Sequence, residues 1–403
     1  MKKSAASQIN KWRAIIIIGS VQTLQPFSID PYLPSSKVIA GEFCVGISLI
    51  QLTISTLALG FALGQLFVGP LSDAIGRRRP LLIAMTLYVL ATLFVGFAPS
   101  LPVFFAMRVL QGLSASSVFV VGNAMVRDLF DGPVLVKAIS RAMLFQASAW
   151  FIGPFGAAYL LTLTDWRGIA LTLAGVSAVL LVLAMRYLPE TLQVENRKAS
   201  LFDGMLGRFR AVLRDREYAG LVGISLMFQL AIYAYLLVVP IIYSREFGVA
   251  ASAVGLLIGL NSVGSYTGAQ LSAKLSQYIH PKWVFTGIIV VAMSMGAAMV
   301  FVAPTKPSFW LAIGLVWLFV LCFGASLTVN TSLAMAPHGH EAGTAAALMG
   351  VINFLFSAAA GPFYTTFDTS SLMSVGICVL GCMVVALILM FTVVRPRALR
   401  PEA

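Results

Sequence analysis

Charged side chains are scarce. Asp, Glu, Lys and Arg make up 10% of the 403 residues, where a water-soluble domain carries roughly a quarter. With 59% of residues apolar and a mean hydropathy of +0.92, the composition excludes a soluble globular protein and points to a polytopic membrane domain. Histidine is nearly missing: the three in the chain fall at or beyond the ends of the apolar stretches. A membrane-embedded enzyme or receptor would need clustered His, Ser with His, or paired carboxylates within those stretches, so that class is set aside. The string His338-Gly339-His340-Glu341 is read as a plain loop, because a three-ligand cluster in one short segment is a weak metal signal. Four cysteines, Cys44, Cys322, Cys378 and Cys382, are too few and too apolar in setting for a disulfide framework. No glycine-rich phosphate loop ending in Lys-Ser or Lys-Thr occurs, which argues against an ATP-driven pump.

What the chain has instead is a series of apolar segments. A helix needs about 20 apolar residues to cross the hydrocarbon, and the hydropathy pattern predicts twelve crossings: 14–36, 47–70, 80–98, 101–125, 138–162, 168–188, 219–243, 251–276, 283–304, 308–335, 342–364 and 371–394. Met1-Lys2-Lys3 resembles a signal-peptide start, but the run from Ala14 continues past signal length without a cleavage pattern, so it is read as an uncleaved first span. The longest polar stretch, Glu190 to Glu217, divides the chain into residues 1–189, a linker 190–217, and residues 218–403. The expected fold is therefore all-α, with two pseudo-symmetric six-helix bundles. A faint internal repeat pairs Gly69, late in the second span, with Gly268, late in the eighth. Two similar bundles leave a seam between them where a cargo can bind at mid-membrane while the halves rock.

The net charge of +12 invites a nucleic-acid reading, but the Lys and Arg residues sit in the connecting loops. Counted on alternate sides of the spans, twenty-two lie on one side and four on the other, with Arg108 alone inside a span. The asymmetry puts both termini and the linker in the cytoplasm and accounts for the basic pI without nucleic acid.

The loop expected after the second span reads Gly69-Pro70-Leu71-Ser72-Asp73-Ala74-Ile75-Gly76-Arg77-Arg78-Arg79-Pro80. Its glycines permit a tight turn, Asp73 can pair with a cation or cap a helix, and the arginines hold the loop at an anionic surface. This string resembles the signature between helices 2 and 3 of the major facilitator superfamily. Arg108-Val109-Leu110-Gln111-Gly112 is similar to that family's basic fourth-helix motif, and Gly153-Pro154 to the core of its drug-antiporter motif. Ala157 and Ala158 stand where that motif usually has a glycine pair; alanine still allows close helix packing. Three further strings, Asp30-Pro31-Tyr32-Leu33-Pro34, Leu188-Pro189-Glu190-Thr191-Leu192 and Ala342-Gly343-Thr344-Ala345, are similar to the bicyclomycin and chloramphenicol resistance branch of the drug:proton antiporters. The resemblance implies a monomeric transporter in the inner membrane of a bacterium. It would export lipophilic drug-like compounds, take its energy from protons and need no cofactor.

An ionised carboxylate at the bilayer centre costs about 2.5–3.5 kcal/mol, so Asp30 must find water, a partner or a proton; as a residue at a helix end it could simply touch external water. Arg108 could likewise snorkel to the interface. The functional expectation is that Arg108 and Gln111 face the bundle interior and polarise the pathway used by Asp30, making these three the proton-coupling set. Gly69, Asp73, Gly76, Arg77, Arg78, Gly153 and Pro154 form the expected conformational gate. Candidate cargo contacts are the polar Gln22, Gln146, Gln229, Asn261 and Asn353 and the aromatic Tyr32, Trp150, Phe228, Tyr233 and Phe354, though each polar one could equally make a helix–helix hydrogen bond of roughly 0.6 kcal/mol. The rival reading is a proton symporter importing a small metabolite.

Overall fold

The computed structural model describes residues 2–29, 32, 35–130, 132–197, 205–249, 251–305, 307–337, 342–365 and 371–395. Asp30 and the His338-to-Glu341 string lie outside these residues. The chain divides into two compact units, Met1–Asp203 and Gly204–Ala403. Unit 1 holds α1 (Lys2–Gln22), α2 (Leu24–Phe27), α3 (Ser36–Glu42), α4 (Ile47–Ile75), α5 (Arg78–Gly96), α6 (Leu101–Leu129), α7 (Gly132–Leu163) and α8 (Trp166–Tyr187). Unit 2 holds α9 (Met205–Arg214), α10 (Arg216–Arg245), α11 (Ala251–Leu275), α12 (Pro281–Val302), α13 (Phe309–Met335), α14 (Ala342–Thr365) and α15 (Leu372–Leu389), the last continued by a π-helical turn, Met390–Val394.

Twelve of these helices have eighteen residues or more. Among the described residues, nine helices are long and apolar enough to cross a membrane. The other three long ones are α1, α11 and α14, and they coincide with the first, eighth and eleventh expected spans. α1 starts on the charged Lys2-to-Arg13 segment, α11 carries Asn261, Gln270 and Lys274, and α14 has a shorter apolar stretch, Thr344–Ala359. Side chains close several of the connections. Asp165 and Asp215 accept from the backbone N–H groups of Gly168 and Glu217 at the starts of α8 and α10, and Ser308 and Ser371 do the same for α13 and α15, satisfying donors that the first helical turn leaves free.

Two local expectations are corrected. The first span is not one continuous helix from 14 to 36: α1 ends at Gln22, and α2 follows after a break at Thr23. Pro26 lacks the N–H that would bond the Gln22 carbonyl, and Thr23 turns its hydroxyl back to the Ser20 carbonyl at 2.6 Å. The Gly69-to-Pro80 string is not a loop. α4 runs through Gly69 and Pro70 to Ile75, and only Gly76 and Arg77 turn the chain before α5 begins.

The two units repeat one packing plan. In unit 1, α4 packs on α6, α5 on α8 and α1 on α7; in unit 2, α11 packs on α13, α12 on α15 and α10 on α14. The closest helix pair of each unit is set by glycine. A Cβ on Gly60 would lie 2.1 Å from the Val109 carbonyl oxygen and one on Gly64 2.4 Å from that of Leu113; in unit 2, a Cβ on Gly268 would lie 2.0 Å from the Leu321 carbonyl oxygen and one on Gly264 would meet the Trp317 ring at 2.9 Å. Small residues four apart let helix backbones touch. The repeat is therefore Gly60-x-x-x-Gly64 matched with Gly264-x-x-x-Gly268, which corrects the expected pairing of Gly69 with Gly268: a Cβ on Gly69 would meet nothing nearer than 3.8 Å.

At the end of unit 1 opposite Gly76, the short helix α3 folds onto an apolar cluster that includes Tyr32, Ile39, Phe104 and Trp166. Glu42 pins it there by accepting from Trp166 Nε1 and Arg167. Burial alone would raise the Glu42 pKa, but these donors outweigh it and hold the carboxyl below its usual range.

Candidate functional site

Arg108 lies two turns into α6 and is fully buried in unit 1. It sits beside the α4–α6 crossing, because Gly112, one turn further on, carries no side chain and lets α4 approach to backbone contact. The guanidinium donates through Nη1 to the Ser28 carbonyl and to Gln111 Oε1, each at 2.7 Å. Its carbon lies 4.4 Å from the centre of the Tyr32 ring, within the distance of a cation–π contact. Gln111 passes its own Nε2 donor to Thr92 Oγ1 at 2.9 Å, and Thr92 bonds the Tyr88 carbonyl. Tyr88 returns to Ser28, hydroxyl to hydroxyl at 3.0 Å. The ring of contacts joins the turn after α2 to α5 and α6. The sequence motif named Arg108 and Gln111 but not Ser28, Tyr88 or Thr92, which carry no signal of their own in one sequence.

Arg108 Nε and Nη2 and the Tyr32 hydroxyl are buried without a hydrogen-bond partner among the described residues, and a buried donor left unmade costs about 1–3 kcal/mol. Arg108 and Tyr32 border a cavity of about 10 Å³ together with Ser36, Thr53 and Phe104. That volume suits about one water molecule, whereas a drug-sized ligand needs at least about 300 Å³. The cavity therefore has room for a water molecule and not for a drug-sized ligand. Ser28 stands two residues before Asp30, so the carbonyl held by Arg108 and the expected proton carrier share one short stretch of chain.

A second cluster occupies the Gly76 end of unit 1. Gly76 has φ +98° and ψ 165°, a region essentially restricted to glycine. The turn it makes points the backbone N–H groups of Arg77 and Arg78 at Glu190, which accepts them at 2.8 and 3.2 Å. The same carboxylate accepts from the Thr191 and Leu192 N–H groups. Burial pushes its pKa up, but the Arg77, Leu192, Arg78 and Thr191 donors outweigh that and hold it below the usual carboxylate range. Arg77, itself buried, ties Asp73 and Ser72 on α4 to Asp128 at the end of α6, and Asp128 also accepts from the Thr191 hydroxyl. Three stretches distant in sequence are thus knotted around one arginine. Asp128 and Glu190 were not among the expected gate residues; Glu190 lay in a motif string with no role attached.

A Cβ at position 76 would lie 2.5 Å from Glu190 Oε2. Gly76→Ala is therefore expected to lose about 1–3 kcal/mol from backbone strain and to lower the thermal unfolding midpoint in detergent. The depressed Glu190 pKa gives a sign for pH: its stabilisation is present above the unfolded carboxylate value of about 4.3 and is lost as pH falls through the folded value. Glu190→Gln should remove part of the acid sensitivity of unfolding, and an unchanged melting-versus-pH curve would contradict the cradle.

The remaining candidates are placed as follows. Gly153, Pro154, Ala157 and Ala158 are buried in α7, with Pro154 inside the helix. Gln22 is buried and spends its amide on Asn123 Oδ1 and the Phe119 carbonyl, bracing α1 against α6. Gln146 is half-buried on α7, and Trp150 is 37% exposed. In unit 2, Phe228 stacks on Phe285 with ring centres 6.3 Å apart. Tyr233 is buried, while Gln229 and Phe354 are half-buried. Asn261 donates to the Tyr235 hydroxyl at 3.0 Å and Asn353 to Ser225 Oγ at 2.8 Å. The amide oxygens of Asn261 and Asn353 have no hydrogen-bond partner among the described residues. Among the described residues no group of three His, Cys, Asp or Glu side chains is placed to hold a metal.

Comparison with known proteins puts this geometry in a family. The chain is 31% identical over 357 residues to the uncharacterized MFS-type transporter YdgK of Bacillus subtilis, covering 88% of this chain and 89% of that one. It is 27% identical over 374 residues to a bicyclomycin resistance protein homolog of Haemophilus influenzae, covering 91% and 93%. Among solved structures, a bacterial homolog of the human lysosomal transporter Spinster superposes with a TM-score of 0.75 at 14% identity, over 96% of this chain and 97% of that one. These relatives are transporters rather than enzymes, and a multi-pass membrane transporter of small molecules is the activity they share with this fold. The Major Facilitator Superfamily profile matches residues 15–362, and the chain belongs to that superfamily.

Proposed function

We propose that this transporter is a proton-coupled exporter of lipophilic, drug-like compounds, of the bicyclomycin and chloramphenicol resistance type. The observation that carries the proposal is Arg108: an arginine buried with no carboxylate partner among the described residues, holding the carbonyl two residues before Asp30 and keeping two donors unspent. A cation so placed favours the ionised form of a nearby carboxylate, and closure of the surroundings favours the protonated one. An acid poised between the two can exchange a proton as access changes side. The Haemophilus influenzae relative, named for bicyclomycin resistance, supports export as the direction.

In this reading residues 1–189 and 218–403 are the two bundles, 190–217 the cytoplasmic linker, and alternating access exposes the cargo to each side in turn. Protons run inward and cargo outward. At about 100 mV and one pH unit a proton supplies about 3.7 kcal/mol, which sustains a cargo gradient of a few hundred-fold at one proton per cargo. The knot of Asp73, Arg77, Asp128 and Glu190 acts as a latch at the cytoplasmic end. Single surface pairs contribute about 0–1 kcal/mol, so the latch works as a network.

The test is expression in a pump-deficient bacterium challenged with an antibiotic panel. Wild type is expected to confer resistance to several lipophilic compounds, and Asp30→Asn at equal expression is expected to lose it, as is wild type treated with an uncoupler. Counterflow in inverted vesicles separates export from a proton symporter. Proton-driven accumulation of a metabolite in right-side-out cells, with no resistance phenotype, would replace this reading by that one.

A further inference from the structure

The polar stretch from Glu190 to Glu217 contains a ten-residue helix, α9, that the transport cycle above does not use. It carries Arg208, Arg210 and Arg214 and no acidic residue. Helical spacing sets Phe209, Val212 and Leu213 on one face and Arg210 and Arg214 on the other. Val212 is buried and Phe209 half-buried where α9 meets α10 and α14, yet Leu213 remains 44% exposed. Arg210 and Arg214 are exposed and form no ion pair among the described residues.

The acids beside them are already engaged. Asp215 caps α10 by accepting from the Glu217 N–H, and Glu217 pairs with Lys282 at 2.7 Å. Across the α9–α10 turn stands a second basic feature. Arg216 Nη2 and Arg395 Nε both donate to the Thr392 carbonyl at 3.1 Å, so two exposed guanidinium groups crowd one acceptor. Like charges held together in this way favour an anion near them. α10 is long and apolar enough to cross a membrane and begins at Arg216, which sets the preceding helix, about 15 Å long, near headgroup depth with an exposed leucine and two arginines that form no ion pair among the described residues.

We infer that α9, with the Arg216–Arg395 pair, docks on the phosphate headgroups of anionic phospholipid, Leu213 entering the acyl boundary. A short basic amphipathic helix with an apolar edge has the chemistry of an interfacial anchor. The inference rests on the reading that this end is cytoplasmic only for which leaflet supplies the lipid.

The test uses the purified full chain in neutral detergent, which has no sidedness and requires no transport, so its failure leaves the export reading untouched. Binding of phosphatidylglycerol and of phosphatidylcholine carrying the same labelled acyl chains is titrated. Wild type is expected to prefer phosphatidylglycerol, with the preference shrinking as salt rises. Arg210→Gln/Arg214→Gln is expected to weaken phosphatidylglycerol binding roughly thirty-fold, about fivefold per arginine and compounding. Arg210→Lys/Arg214→Lys, which keeps the charge, is expected to stay within a few-fold of wild type. Equal affinity for the two lipids, or undiminished phosphatidylglycerol binding in the glutamine variant, overturns the inference. So does an equal loss in Arg186→Gln, an exposed arginine in unit 1, since that would make the effect one of overall charge.

Discussion

Arg108→Gln is expected to yield a protein that inserts and accumulates at least as well as wild type yet no longer couples transport to protons. The two halves of that result pull in opposite directions, and this is what makes it informative. An arginine within the membrane costs about 2.5–3.5 kcal/mol by insertion scales, and this one leaves Nε and Nη2 without partners among the described residues. Removing it relieves that cost and loses the bonds to the Ser28 carbonyl and Gln111 Oε1, so the folded yield is expected to hold. Under the proposed proton coupling the loss falls on transport, because glutamine in its place brings no charge to the stretch that holds Ser28 and Asp30. Arg108→Lys is expected to fall between: it keeps the charge, but its single ammonium cannot match the planar fork over the Tyr32 ring. The readouts are folded yield by size-exclusion chromatography and cargo-induced proton release from reconstituted vesicles. Full proton-linked transport in Arg108→Gln at normal yield would remove Arg108 from the mechanism.

Gly112→Leu and Gly324→Leu are expected to prevent folding of the protein, each by forcing apart the closest helix pair of its unit. A Cβ at 112 would lie 2.2 Å from the Leu57 carbonyl oxygen and one at 324 would lie 1.9 Å from that of Ser265. Both obstacles are backbone, which cannot rotate away as a side chain can. Overpacking of an ordinary core costs about 1–3 kcal/mol, and separating two helices along their contact exceeds the top of that range. Gly175→Leu and Gly314→Leu are the controls, since a Cβ at either meets nothing within 4 Å. Wild-type yield of monodisperse Gly112→Leu or Gly324→Leu would show that the packing plan common to the two units is wrong.

Much of this architecture was legible in the chain. The expected spans and the observed helices agree to within a few residues from the second span onward, except where α4, α6 and α7 extend beyond them into their connections. Hydropathy sees a span well because a helix in lipid must be apolar along its length to satisfy every backbone group. It saw the first span poorly, since Thr23 and Pro26 break the helix without changing its hydropathy, and it missed α3 and α9, which are too short for a crossing. Arg108 stood out by rarity, as a cation alone among apolar residues. Its partners did not: Ser28, Tyr88 and Thr92 are ordinary residues until α2, α5 and α6 bring them together.

Composition and periodicity alone were enough for the class of molecule and for the number of long helices among the described residues. These are one-dimensional properties, summed along the chain, and they need no knowledge of what touches what. Which glycines form the repeat, which acids hold Arg77 and how Arg108 is enclosed depended on contacts between residues tens of positions apart, as with Glu190 on the turn at Gly76. Such contacts are decided by helix packing, where the distance of one backbone from another selects the partner, and no local pattern encodes that distance.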